Sequence, residues 1–204
     1  VKEVVLTGVN IGDFGQGGDE NFFGLVQALD EVEGIERFRI SSIEPNLLSD
    51  DIIDFCLTAS KRFAPHFHVP LQSGSDSILE KMRRKYKTSL YAQRVERIKA
   101  TNPDACIGVD VIVGFPGETD EDVEELKEFL QEHRFDRVGI FKYSHEENTS
   151  AYDLVDDVPA EEKQRRAEEI MEVQQEISLE INQTKEGQIL KVLVDKKEAR
   201  SEER

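Results

Sequence analysis

Asn10, Glu44, Gln72, Ser73, Gly114, Phe115, Tyr143 and Ser144 all fall where an apolar run gives way to a polar or glycine-rich segment. Side chains of these types, spaced this way, bind and orient a ligand. The segments are TGVNIGDFG (7–15), SSIEPN (41–46), PLQSGSD (70–76), GFPGET (114–119) and YSHEENT (143–149). Taken singly, each has a plain structural role: Gly8 and Gly12 as turn formers, Pro45 as a strand stop, Ser75 as a helix N-cap. Taken together, Asn10, Glu44, Gln72 and Tyr143 exceed what packing needs and point to one shared pocket. The run KMRRKYK, Lys81 to Lys87, holds five basic residues in seven. It offers Arg83 or Arg84 to a phosphate or a carboxylate. Its plain alternative is a basic helix end that complements the helix dipole.

The elements that must position these residues repeat one grammar five times. Strand-like runs at Glu3 to Gly8, Arg37 to Ile43, His66 to Gln72, Cys106 to Gly114 and Arg137 to Ser144 each precede a segment of helical apolar spacing. Strands alternating with helices predict an α/β fold with a parallel sheet, and in such folds function sits at the C-terminal strand ends. The fourth unit is the clearest. Val109, Val111 and Val113 are β-branched, Gly114, Pro116 and Gly117 break the run, and Thr119 with Asp122 approximates a capping box before an acid-rich first turn.

Composition narrows the class. The chain has 204 residues, 38% hydrophobic, without tryptophan and without an apolar run near the ~20 residues of a membrane span. It opens on a strand with Val1 and Lys2 rather than a signal peptide, so the expectation is a soluble, cytoplasmic protein. The net charge is −17, and 26 of the 43 acidic residues lie in 118–204. Such acidity argues against nonspecific duplex binding. Cys56 and Cys106 lack metal-ligand spacing and read as buried thiols, and the four histidines form no metal signature, although His66 and His68 share a strand face. No protein-bound metal is expected.

The strings LTGVNIGDFG, RFRISSIEPN, HFHVPLQSGSDSILEKMRRKY, GVDVIVGFPGETDED and FKYSHEENTSAYDL, in this order, closely resemble the radical S-adenosylmethionine methylthiotransferases over essentially the whole chain. The resemblance implies a partial parallel (β/α) barrel, S-adenosylmethionine as cofactor, [4Fe-4S] clusters in the full-length protein and insertion of a methylthio group into a C–H bond. The family's cluster loop, C-x-x-x-C-x-x-C, has no match here, so the chain reads as starting at the family's second strand and leaving a sheet edge open. The implied division is 1–158 barrel, 159–185 connecting helix with Pro159 at its start, and 186–204 the first strand of a truncated β-rich TRAM domain.

By position, the resemblance places the methionyl amino group at Gly8, Val9 and Asn10, and the ribose and carboxylate at Glu44, Gln72, Ser73 and Arg84. Adenine falls along Ile112, Val113, Gly114 and Phe115, with Tyr143 and Ser144 closing the far side. Lys142 departs from the small hydroxyl residue usual in the family. The front half resembles the branch that modifies threonylcarbamoyladenosine of tRNA. The back half resembles the branch that modifies an aspartate of small-subunit ribosomal protein twelve. tRNA is the favoured partner and the ribosomal protein the alternative; the alternative of another class is a non-catalytic module that binds S-adenosylmethionine or RNA. A third reading, a phosphate at the GFPGET helix start, is disfavoured because Glu118 would repel the anion.

Overall fold

β4 (Cys106–Val113) shows why the chain folds as it does. Ile107, Val109, Val111 and Val113 are buried on the face that meets the helices, whereas Asp110 and Ile112 on the other face are half-buried. The computed structural model describes residues 1–190. In it β1 (Glu3–Leu6), β2 (Arg37–Ile40), β3 (His66–His68), β4 and β5 (Arg137–Lys142) run parallel in chain order. They form a pair and a triplet joined by two parallel bridges, Phe38–Phe63 and Ser42–His68, so the expected single sheet is continued between β2 and β3 by isolated bridges rather than by a regular ladder.

The helices are α1 (Phe22–Asp30), α2 (Asp50–Asp54) running into a π-turn over Phe55–Ala59, α3 (Asp76–Lys81), α4 (Thr88–Thr101), α5 (Asp120–His133) and α6 (Ala160–Gln183). Val26, Ile53, Tyr91, Leu126, Leu130 and Ile170 pack with the strand residues in one core. Tyr91, Phe129 and Phe135 meet within it at ring separations of 5.9–6.3 Å. The capping box at α5 forms in full: Thr119 Oγ1 accepts from Asp122 N–H, and Asp122 Oδ2 accepts from Thr119 N–H.

Three local expectations change. β3 ends at His68 rather than Gln72, because Pro70 has no N–H to donate and Gln72 takes a left-handed φ of 71°. Its pairing with β4 persists past the strand, through Val69 N–H to Gly108 O and Leu71 N–H to Asp110 O. Ser75 sits at the N-cap of α3, but its hydroxyl makes no capping bond and meets Ser77 Oγ instead. Pro159 lies just ahead of α6 as its N-cap residue. The expected strand at 188–197 and the TRAM assignment fall largely on 191–204, outside the described residues. No described helix is long and apolar enough to cross a membrane.

α6 buries an unusual stripe. Lys163, Arg166, Ile170, Gln174 and Ile177 follow helical spacing and face β5, β4 and α5, although three of the five are polar. At its start, hydrogen bonds from Arg165 and Arg166 hold the Glu162 carboxyl at about 2, below the ordinary 4.5. A depressed carboxyl stabilises the fold above its ordinary value, and that contribution is lost as pH falls from 4.5 toward 2. Urea unfolding at about pH 5 and about pH 3 should therefore show a smaller acid-induced loss for Glu162→Gln than for the unsubstituted chain.

Candidate functional site

Gly114 follows directly on β4 with φ 71°. Its N–H donates to Glu118 Oε1 at 2.7 Å, and a Cβ there would lie 2.3 Å from Lys163 Cγ. Both constraints select glycine. Phe115 follows, 4% exposed, and its ring meets that of Tyr143 edge-on at 5.1 Å. β5 delivers Tyr143 to this place because its backbone extends the ladder by one bond, Tyr143 N–H to Val113 O at 2.9 Å. Burial, with Asp156 and Glu146 nearby, raises the Tyr143 hydroxyl above its ordinary value, so it stays neutral.

These rings wall a cavity of about 320 Å³ at the C-terminal rim of the strands, which Arg84, Ile112, Lys142 and Ser144 also line. Five sequence candidates, Arg84, Ile112, Phe115, Tyr143 and Ser144, thus share one pocket, and Gly114 lies between two of them. Ser144 Oγ donates to Glu146 Oε1 at 2.6 Å. Arg84 Nη1 donates to Glu44 Oε1 at 3.1 Å, so two candidates 40 residues apart in the chain are one ion pair. Arg84 Nε is buried and has no partner among the described residues.

The remaining candidates lie outside the cavity lining. Gln72 is held by its backbone: its N–H donates to Asp110 O at 2.8 Å and its C=O accepts from Ile112 N–H at 2.9 Å. A glutamine at positive φ is rare, and the strain is fixed by these two bonds to β4. Ser73 is 2% exposed, and its hydroxyl accepts from Ser75 N–H at 3.2 Å, a loop-bracing role. Gly8 has room for a side chain, and Val9 is fully exposed. Asn10 donates from Nδ2 to Asp13, while its Oδ1 is buried without a partner among the described residues. Val113 is fully buried, in the core that the helices cover, so only its backbone reaches the rim.

Glu118 differs from expectation. It is 8% exposed and turned inward, accepting from Gly114 N–H and from Arg166 Nη1 at 2.9 Å. It locks the turn and does not face a ligand. Burial wins over both bonds and raises its carboxyl above the ordinary value. Sequence reasoning missed Lys163 and Arg166 because a helix stripe is read as apolar; lysine and arginine at stripe positions were the available signal.

A larger groove, about 620 Å³, lies between β5 and α6 at the opposite strand ends, lined by Cys106, Asp136, Gln174 and Lys185. It is remote from the rim. Among the described residues no group of three or more His, Cys, Asp or Glu could hold a metal. Burial raises the Cys56 thiol to about 12 and lifts Cys106 as well. The cysteines present therefore do not fit an iron–sulfur cluster, which needs several converging thiolates. Cys106 is half-buried on the groove rather than buried as expected, so Cys56 should resist a disulfide reagent at neutral pH in the native chain while Cys106 reacts slowly, and both should react fully in guanidinium, with absorbance of the released thiolate as the readout.

Residues 1–130 match the family model described as the radical SAM superfamily. The chain is 43% identical over 97% of its length to "Ribosomal protein uS12 methylthiotransferase RimO" of Flavobacterium johnsoniae, covering 46% of that protein. It is 37% identical over 99% of its length to "Threonylcarbamoyladenosine tRNA methylthiotransferase MtaB" of Bacillus subtilis, covering 45%. It thus spans less than half the length of these relatives. Among solved structures, coproporphyrinogen III oxidase of Escherichia coli, a radical SAM enzyme, superposes with a TM-score of 0.60 at 17% identity, over 75% of this chain and 36% of that one. That likeness concerns the fold, a partial parallel (β/α) barrel.

Proposed function

Because this chain belongs to the radical SAM superfamily, in its methylthiotransferase family, we propose that it is the S-adenosylmethionine-binding barrel of an enzyme that methylthiolates threonylcarbamoyladenosine in tRNA. S-adenosylmethionine and [4Fe-4S] clusters are the cofactors of this family. The residues here suit the first. Ile112, Phe115 and the Tyr143 ring offer an apolar slot for adenine, with Gly114, packed on the Lys163 stem, making the turn that brings Phe115 to the slot. Arg84 Nε is a buried donor for the carboxylate, with Glu44 fixing the guanidinium, and Asn10 Oδ1 is a buried acceptor for the ammonium. Gln72 and Ser73 hold the loop that shapes this side, Gly8 and Ser144 the two ends. S-adenosylmethionine supplies the radical when reduced; these residues bind and orient it. The two cysteines of this chain, far apart in sequence and one of them buried, do not fit a cluster.

The observation that carries the tRNA reading is the placement of positive charge. In a chain of net charge −17, the exposed Lys81 and Lys142 line the cavity, and the exposed Arg83, Lys85 and Lys87 follow Lys81 in the same basic run. Such a patch suits a phosphate backbone and a cytoplasmic RNA. A second reading, modification of ribosomal protein, is supported by the 43% identity to the uS12 enzyme and by the exposed Glu146 lining the cavity, with Glu147 next to it in the chain, which suit a cationic polypeptide. An RNA hairpin carrying threonylcarbamoyladenosine should bind the chain with an affinity that falls as salt rises. Binding of a uS12 loop peptide with no binding of the hairpin would replace the first reading by the second. Calorimetry with S-adenosylmethionine tests the cofactor site, and absence of heat would remove it.

A further inference from the structure

Lys163 occupies a stripe position of α6 where the neighbouring helix turns bury Ile170 and Ile177, and it is 7% exposed. A buried ammonium is costly unless it is paired and hydrogen-bonded. Here it is fully engaged. Nζ donates to both Asp156 oxygens at 2.7 Å and to Tyr143 O at 3.4 Å, and it lies 5.0 Å from the centre of the Tyr143 ring. Its methylene stem fills the space that a side chain on Gly114 would take. One side chain therefore touches the end of β4, the end of β5 and the loop before α6, yet it does not line the cavity.

We propose that Lys163 is a positioning residue for the nucleoside half of the cofactor site: its ammonium, anchored by Asp156, fixes the Tyr143 ring against Phe115 from behind the cavity wall. This rests on the cofactor reading given above. An apolar residue of similar length would pack on Gly114 equally well. It would leave the Tyr143 carbonyl without that donor and the ring without its cation, held at one edge by Phe115 and at its hydroxyl by the long bonds to His145 Nδ1 (3.3 Å) and Ala151 O (3.4 Å), and the ring would be less firmly fixed about χ1. The adenine wall would then be ordered by the ligand itself, at a cost in affinity.

The test uses the whole chain, with S-adenosylmethionine and 5′-deoxyadenosine as probes in calorimetry, and ¹³C-ring-labelled tyrosine for NMR, the Tyr143 signal being assigned with Tyr143→Phe. Lys163→Met should shift the Tyr143 ring signal and weaken both probes by the same factor, roughly tenfold, as loss of a charge-assisted contact set implies. Asp156→Asn, on the half-exposed side of the pair, should do the same, and the double variant should be no worse than either single one. Arg84→Lys should weaken S-adenosylmethionine alone, which separates the two halves of the site. An unmoved Tyr143 signal, or unchanged 5′-deoxyadenosine affinity in folded Lys163→Met and Asp156→Asn, overturns the proposal. If the unsubstituted chain binds neither probe, the cofactor reading fails, and the Tyr143 signal alone then decides whether Lys163 fixes the ring.

Discussion

Arg166→Met should lower the unfolding free energy by about 3–5 kcal/mol, the usual cost of breaking a buried ion pair by removing one partner. Arg166 is 6% exposed and Glu118 8%. Its Nη1 donates to Glu118 Oε1 at 2.9 Å and to Glu118 O at 3.0 Å, while Nε donates to Glu162 Oε1 at 2.8 Å. Methionine preserves the stem and its packing but strands the Glu118 carboxylate with Gly114 N–H as its remaining partner. The pair is a hinge pin between the turn after β4 and the first turns of α6, so its loss loosens the cavity wall as well as the core.

The same variant should show a distinctive pH dependence. Burial already raises the Glu118 carboxyl above its ordinary 4.5, against the pull of Gly114 N–H and Arg166. Without Arg166 it rises further. A raised carboxyl contributes stability that is present below its ordinary value and lost as pH rises through the folded one, so the deficit of Arg166→Met should shrink on acidification from neutral pH. Adding Glu118→Gln should restore part of the lost stability at neutral pH, since an uncharged amide is cheaper to bury. Urea midpoints across that pH range decide the matter: a deficit that grows on acidification would contradict this account.

Gly74→Ala should cost about 3 kcal/mol, at the upper end for overpacking. A Cβ at Gly74 would lie 2.4 Å from Leu126 Cα and 2.7 Å from Leu126 N. The obstacle is the backbone of α5, which cannot rotate aside as a side chain can. The whole helix must retreat from the 72–75 loop, taking Leu126 and Leu130 with it from the core. Denaturant titration with an unchanged m-value and a lowered midpoint would bear this out, whereas an unchanged midpoint would show that α5 shifts freely. Because the loop carries Gln72 and Ser73, the variant also tests whether that side of the rim depends on the α5 contact.

Much of the barrel was legible in the chain because it is encoded over a few residues. Val109, Val111 and Val113 alternate with Asp110 and Ile112, Thr119 and Asp122 stand three apart, and the glycine and proline stops fall after each apolar run. These patterns fix strand, cap and turn by local geometry, and they placed Ile112, Phe115, Tyr143 and Ser144 at the ends of β4 and β5, where they line one cavity. The ordered set of rim strings was enough to reach the family. By itself the sequence determined the α/β order and the family, and with the family the chemical class of its cofactor.

The tertiary structure alone decided which of these side chains meet. Glu44 and Arg84 pair across 40 residues and Glu118 and Arg166 across 48, so neither appears in any window of sequence. Glu118 reads as a ligand-facing charge in GFPGET and turns inward only because α6 places a guanidinium behind it. Gln72 reads as strand and takes a left-handed φ because β4 holds both sides of its backbone. Lys163 reads as a flaw in an apolar stripe and lies under Gly114 because α6 crosses back over the ends of β4 and β5. The physical reason is common to all four: local propensity sets each element within one turn or two of chain, whereas the partners of buried polar groups are set by how helices seat on the sheet, where every donor and acceptor removed from water must find its match.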